Sequence, residues 1–405
     1  MTPKLRFPAF SSDWQSARLG DFFTFKNGVN ADKSMYGSGR KFINVMDVMA
    51  KAPITHDTII GSVQISDKEF AKNEVLYGDV LFQRSSETRE EVGQSNIYVD
   101  QRPATFGGFV IRGRPKQSIN PYYFDALLKT DAVRKDMTSR SGGSTRYNIG
   151  QESLDAVAVC IAPSLPEQQK IADFFGTVDE RITLLTRKAE ALKRHKREVA
   201  RRLFTRELRF LRDDGTAFPD WTPTHLGRLG KFYGGGTPDT TVGAYWQGSI
   251  PWVSSSDLYD NEIHRLDLTR HITDSAVKSS ATMIIPKGAI LIVTRVGIGK
   301  VAIAPDAVCT SQDFSNLLLI RDDAKFLAYW LTHHKNRLLG LAQGTSIKGL
   351  TTVDLKLLKI DLPHVDEQRR IAEFLSALDI KIDAVRAKIA AMQTFKRGLL
   401  QQMFV

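Results

Sequence analysis

EQQKIADFFGTVDERI occupies residues 167–182, and EQRRIAEFLSALDIKI occupies residues 367–382. Residues 167–204 align with 367–404 without a gap, and Pro163 and Pro363 stand before the two copies. Identities fall at Glu167/Glu367, Gln168/Gln368, Ile171/Ile371, Ala172/Ala372, Phe174/Phe374, Asp179/Asp379, Ile182/Ile382 and Phe204/Phe404. Ser164-Leu-Pro-Glu167 fits a capping box, with Ser164 as N-cap and Glu167 three residues on. In the first copy Ile171, Val178, Leu185, Leu192 and Val199 recur every seven residues, with Phe175, Ile182, Ala189 and Leu203 on the companion row. In the second copy the rows are Ile371, Leu378, Val385, Met392, Leu399 and Leu375, Ile382, Ile389, Met403. Both read as coiled-coil seams. Lys196 and Lys396 interrupt the same companion position, where a lysine either stays exposed or sets register.

Matching seams suit helices that pack on each other within the chain, although packing on another subunit is the alternative. Connectivity gives the direction. Residues 167–204 would span about 57 Å as a helix at 1.5 Å per residue. A parallel partner would need the intervening chain to travel that distance back, whereas an antiparallel one needs only a compact domain at the turn. The expectation is antiparallel.

The sequence between the helices repeats more faintly. Asp13-Trp14, Leu19-Gly20 and Phe25 answer Asp220-Trp221, Leu226-Gly227 and Phe232. Phe42–Val45 stands where Ile250–Val253 stands. Gly78-Asp-Val-Leu81 with Arg84 parallels Gly288-Ala-Ile-Leu291 with Arg295, and Gly143-Ser-Thr145 parallels Gly344-Thr-Ser346. Strand-like runs (Val80–Phe82, Val157–Ile161, Ile290–Val293, Leu317–Ile320) mix with helical ones around Phe124–Met137 and Phe326–Leu339. The expected plan is α+β. A mixed domain spans residues 1–162, a helical arm 163–212, a second domain 213–362 and a second arm 363–405.

These features together resemble the specificity subunit of type I restriction–modification enzymes. The resemblance covers essentially the whole chain. It rests on the paired P-x-x-x-E-Q-x-x-I-A-x-F helix openings, the G-[ST]-[ST] element before each, and the D-W opening of each domain. It implies that each domain is a target recognition domain reading half of a bipartite sequence in double-stranded DNA. It implies further that the antiparallel coiled coil acts as ruler and dock for two adenine methyltransferase subunits, joined by a restriction translocase. The chain itself would hold no cofactor; S-adenosylmethionine, ATP and Mg²⁺ would belong to the partners.

Bulk properties agree. The chain has 405 residues, a net charge of +11, and only two cysteines, Cys160 and Cys309. That excludes a disulfide framework and a cysteine-based zinc cage. No apolar run approaches the roughly 20 residues a membrane span needs, and the start lacks a signal-peptide core, so a cytoplasmic protein is expected. Between Arg187 and Arg212 eleven Lys/Arg face three acidic residues. Such a stretch is either a solvated helix face or a stripe for a polyanion or an acidic partner.

Base reading needs Arg forks and short polar side chains at loop tips, and phosphates need cations, hydroxyls and backbone N–H groups. Candidates in the first domain are Arg84, Ser85, Ser86 and Arg89. Their counterparts in the second are Thr294, Arg295, Gly297, Gly299 and Lys300. Arg84 and Arg295 suit direct readout, with a phosphate or structural role as the alternative. Ser144, Thr145 and Arg146, and likewise Thr345, Ser346 and Lys348, suit phosphates, against an ordinary glycine-rich loop. Gly234-Gly-Gly236-Thr237 reads as a turn.

Catalytic look-alikes fail. Asn120-Pro-Tyr-Tyr123 lacks the second proline of an adenine methyltransferase loop and opens a helix instead. Gly297-Ile-Gly-Lys300 lacks the upstream glycine and the Ser/Thr of a P-loop. Asp306 with Asp323 and Lys325 imitates nuclease spacing, but the latter pair enters a helix. His333-His334 reads as a surface pair within a helix. The competing functional classes are a stand-alone DNA-modifying enzyme fused to a coiled coil and a coiled-coil adaptor with no DNA role.

Overall fold

The computed structural model describes residues 2–343 and 349–405. The chain forms two compact units. Residues 1–185 and 387–405 make the first, and residues 186–386 make the second.

In the first unit the main sheet is antiparallel, in the order Phe23–Asn27, Val110–Pro115, Val80–Gln83, Ser95–Ile97. In the second the order is Gly230–Gly234, Phe314–Leu319, Ile290–Val293, Val301–Ile303. The topology is the same. Both central strands, Val80–Gln83 and Ile290–Val293, are buried along their whole length, which explains their unbroken rather than alternating apolar runs. Each follows a glycine in left-handed backbone, Gly78 (φ 89°) and Gly288 (φ 81°), a conformation that a β-carbon disfavours.

A smaller sheet accompanies each main one. Tyr36–Ile43 runs parallel to Thr105–Phe106 in the first unit, and Ile250–Val253 runs parallel to Val308–Thr310 in the second. A two-stranded ribbon closes each domain against the start of its helix. Gln15–Arg18 pairs with Ala158–Ile161, and Thr222–His225 pairs with Lys359–Leu362.

The expected helical runs are each two helices. Pro121–Leu128 and Asp131–Ser139 break at Thr130, whose backbone is extended and whose hydroxyl donates to the Leu127 carbonyl. Ala324–His333 and Lys335–Leu341 break at His334. Of the expected surface pair His333 is exposed, whereas His334 is half-buried. Its ring stacks on Trp330 at 4.1 Å, and its Nδ1 donates to the Trp330 carbonyl at 2.9 Å. Burial, helped by neighbouring Arg337 and His333, pushes its pKa from 6.5 down to about 4.

The long helices are Leu165–Phe204 and Val365–Met403. The first stops at Phe204, and Arg206 just beyond it takes left-handed backbone (φ 67°). Within each unit the helix segments run antiparallel. In the first unit Lys396 Nζ meets Asp179 at 2.7 Å, and further along Phe175 stacks on Phe404. In the second, Lys196 Nζ meets Asp379 at 2.6 Å, while Val199, Leu203 and Phe204 share a core with Ile371, Ala372 and Leu375. Of the seam residues, Ile171, Val178, Val199, Ile371, Leu378, Ile382, Val385 and Leu399 are buried. Ile182, Leu185, Leu192 and Met392 are partly so. Lys196 and Lys396 are therefore ion-paired rather than left in solvent.

The capping box at Ser164 is half made. Glu167 N–H donates to Ser164 Oγ at 3.4 Å, but the Glu167 carboxylate turns away to Arg6 (2.6 and 2.9 Å) and Trp14 Nε1 (3.0 Å). In the second unit Glu367 takes Arg209 in the same way (3.1 and 2.8 Å). Both carboxylates are buried.

Two outcomes are expected. Removing one member of a buried, hydrogen-bonded pair costs about 3–5 kcal/mol, so Glu367→Ala is expected to lower unfolding stability by that order in urea titration of the full chain. His334 has a folded pKa below its unfolded one, so its contribution is complete above pH 6.5 and is lost as pH falls toward 4. His264 and His333 are also depressed by burial and act with the same sign. Denaturant unfolding followed from pH 7 to 4 should show this loss, and His334→Phe should reduce its slope.

Candidate nucleic-acid interface

In both units the candidate residues gather where the central strand leaves the main sheet. In the first, Ser85–Ser86 pairs antiparallel with Tyr147–Asn148, and Ile149 N–H donates to the Arg84 carbonyl at 3.0 Å. Gly142 and Asn148 close the loop holding Ser144, Thr145 and Arg146 by two reciprocal bonds of 3.0 and 2.8 Å. In the second, Leu350 N–H donates to the Thr294 carbonyl at 2.8 Å, and Gln343 and Gly349 exchange bonds of the same lengths as Gly142 and Asn148. Thr345, Ser346 and Lys348 lie outside the described residues. Local sequence explains the convergence. The apolar strand exhausts its buried positions, and the next residues are short, polar or cationic and can turn into solvent.

The side chains divide by use. Arg84 is half-buried, and its Nη1 donates to the Gly108 carbonyl at 3.2 Å. It lines a cleft of about 530 Å³ with Asn27, Asn148 and Gln151. Ser85 Oγ donates to Asn148 Oδ1. Ser86 Oγ donates to Glu91 at 3.0 Å and accepts from Thr88 N–H, so it is occupied in holding the turn. Arg89 is exposed, with one long bond to the Thr138 carbonyl (3.3 Å). Ser144, Thr145 and Arg146 are exposed, and Arg146 reaches Glu87 only at 3.8 Å.

In the second unit Thr294 is buried, donating to the Asp313 carbonyl at 3.1 Å. Lys300 Nζ donates to the Ser255 carbonyl at 3.1 Å and anchors the loop rather than projecting from it. Gly297 and Gly299 take positive φ (96° and 85°), and Gly299 is buried against Lys335. Arg295 projects: its side chain is 49% exposed, and its ion-pair contact with Asp313 is loose at 4.0 Å. Thr294 and Lys300 therefore serve the loop, while Arg295 projects into solvent. The expected match of Arg84 to Arg295 is off by one residue: Thr294 bonds Asp313 and Leu350 as Arg84 bonds Phe109 and Ile149, so Thr294 stands at Arg84's place and Arg295 follows it.

The basic stretch after Arg187 is partly consumed by folding. Lys193 pairs with Glu190, Lys196 with Asp379, Arg201 with Glu198 and Glu207, and Arg209 with Glu367. A cleft of about 700 Å³ in the second unit lies beside these pairs. Asn120-Pro121 is structural. Asn120 Oδ1 caps the helix through Tyr123 N–H, and buried Tyr123 accepts from Ala162 N–H at 2.8 Å. Asp323 likewise caps its helix at Phe326 N–H. Among the described residues no three His, Cys, Asp or Glu side chains gather as a metal-binding group, and no helix is long and apolar enough to cross a membrane.

Sequence reasoning missed Leu5-Arg6-Phe7 and Leu208-Arg209-Phe210, a repeat visible in the chain. The arginines hold the buried glutamates. The phenylalanines pack edge-on or tilted against Phe174 and Phe374, at 6.0 and 5.9 Å.

Two units of one sheet topology, each with polar and cationic residues after its central strand, define a duplicated α+β protein, and comparison with known proteins identifies its class. A family model for the type I restriction modification DNA specificity domain matches residues 11–194 and again 219–393. The chain belongs to that family. It is the recognition component of such a system rather than its catalyst. It is 26% identical over 410 residues to a putative type I restriction enzyme MjaX specificity subunit of Methanocaldococcus jannaschii, covering 96% of this chain and 92% of the relative. It is 31% identical over 168 residues to the EcoR124I/EcoR124II specificity subunit of Escherichia coli, covering 40% and 41%. In fold it resembles the type I system S subunit from M. genitalium, with TM-score 0.57, 14% identity, and coverage of 100% and 99%. It also resembles a chain from a study of complex assembly and conformational transition in the type I system, with TM-score 0.62, 15% identity, and coverage of 97% and 98%.

Arg295 is exposed and holds no core, so Arg295→Ala should leave stability within about 0.5 kcal/mol of the parent. In DNA-binding titrations it should lower discrimination at one or two base pairs by about 1–3 kcal/mol each, a bidentate contact's worth. Equal weakening on every sequence would make it a phosphate contact.

Proposed function

We propose that this specificity subunit reads an asymmetric, interrupted target in double-stranded DNA, one half-site per unit, and that its long helices dock two adenine methyltransferase subunits and, through them, a restriction translocase. The observation that carries this reading is the duplication. Two sheets of one topology each lead from the central strand to an arginine, yet the side chains around those arginines differ. A conserved frame with diverged tips suits two readers of different half-sites. S-adenosylmethionine, ATP and Mg²⁺ then belong to the partner subunits, and methyl transfer and cleavage occur there.

The helices support the docking role by composition. Their seam faces are buried or partly buried, while Ile380 on the second helix is 69% exposed and Phe395 is 52% exposed. Apolar side chains left outside a satisfied seam are suited to a partner surface.

The test is to map methyladenine in cells expressing the chain with its methyltransferase and in cells without the chain. One interrupted, asymmetric motif should appear only in the first. Arg84→Ala and Arg295→Ala should each relax a different half of it. Leu378→Asp buries a charge in the seam and should abolish assembly and methylation together. Methylation or cleavage of DNA by the purified chain alone would overturn the reading.

A further inference from the structure

We infer that Phe109 is a specificity-determining residue of the first unit and makes an apolar contact with the C5 methyl of a thymine next to the base pair met by Arg84. The inference rests on the reading that this unit recognises one half-site through the Arg84 cleft.

Phe109 is 63% exposed, although Phe106 and Val110 beside it are fully buried. A single exposed phenylalanine is ordinary on a protein surface. This one sits on a turn built around it. Gly107-Gly108-Phe109-Val110 closes through Val110 N–H to the Gly107 carbonyl at 2.9 Å. A β-carbon on Gly107 would fall 2.6 Å from the Phe42 ring, and one on Gly108 would fall 1.8 Å from Asn30 Oδ1. Gly107 N–H and Gly108 N–H are both committed, to the carbonyls of Ile43 and Val29. The turn is thus packed on its inner side and has one outward side chain.

The same turn holds Arg84. The Phe109 carbonyl accepts from Arg84 N–H at 2.9 Å, and the Gly108 carbonyl accepts from the Arg84 guanidinium at 3.2 Å. An arginine that can face guanine O6 and N7 and an aromatic ring that can face a thymine methyl are therefore fixed on adjacent backbone. Both contacts belong to the major groove, where the methyl distinguishes thymine.

The second unit carries a different side chain at the same point. Thr294 N–H donates to the Asp313 carbonyl at 2.8 Å, as Arg84 N–H does to Phe109, and Asp313 likewise precedes its strand by one residue. Phenylalanine in one reader thus answers aspartate in the other. An apolar group selects a methyl, whereas a carboxylate accepts from an amino group. The position is where the two half-site preferences part.

The experiment uses the full chain assembled with its methyltransferase, on duplexes carrying the target found by methyladenine mapping. Each thymine of the first half-site is replaced in turn by deoxyuridine, which removes only the methyl. One replacement should weaken binding by the parent about threefold to tenfold, the worth of one or two buried methyl-sized groups. Phe109→Ala should bind the thymine and deoxyuridine duplexes equally, and Phe109→Leu should restore part of the difference. Thermal unfolding of both variants should match the parent. If no deoxyuridine weakens parental binding, if the half-site holds no thymine, or if Phe109→Ala keeps the full difference, the inference is overturned while the bipartite reading stands. If no interrupted target is found at all, it is that reading which fails.

Discussion

The interaction on which each unit depends is a carboxylate taken out of water. Glu167 and Glu367 lie in the first turn of the two long helices, almost wholly buried, where an unpaired charge would cost several kcal/mol. Arg6 and Arg209 grip them through two nitrogens each. The same guanidiniums also donate to backbone carbonyls, Arg6 to Ser12 and Arg209 to Phe218 and Pro219. One side chain therefore ties the entry segment, the globular domain and the helix start together. The copies differ in one respect. Trp14 donates its indole N–H to Glu167, while the indole N–H of Trp221 is buried with no partner among the described residues.

A second polar device fixes the helix pairing. Aliphatic seams tolerate sliding, since one heptad of leucine and isoleucine resembles the next, whereas a lysine and an aspartate meet in one register only. Lys196 with Asp379 and Lys396 with Asp179 place that restriction in each unit. In the second unit the pair is extended inward. Asp379 accepts from the Tyr329 hydroxyl at 2.6 Å, and His264 and Ser376 complete the cluster. Burial and the adjacent Asp379 push the Tyr329 hydroxyl far above its ordinary range, and burial lowers the His264 pKa.

On this frame the tips are free to vary. The main sheets are specified by burial, so their positions take apolar residues or polar ones held by hydrogen bonds, such as Asn96 and Asn316. The tips that follow them face solvent and carry no such restriction. The two units thus share one architecture while the residues at their tips differ, as Phe109 and Asp313 do.

The duplicated helix, its heptad rows and the glycine before each central strand were legible in the chain, because period and backbone conformation are local properties. Candidate tips were legible only as places. Sequence marks Arg295, Lys300 and Thr294 alike as residues after a strand, but Lys300 and Thr294 are drawn into the loop by carbonyls of Ser255 and Asp313, which are distant in sequence, while Arg295 projects. The capping box is only half made, for a similar reason. Glu167 is three residues from Ser164, yet Arg6 offers two charge-assisted bonds where a single backbone N–H offers one. Sequence by itself determined that there are two copies of a reader and two long helices with matching seams, since periodic burial is written in residue order. Tertiary structure alone decided which cations are spent on carboxylates and which project, because an ion pair is settled by proximity in space, and the residues that meet here stand up to 217 apart in the chain.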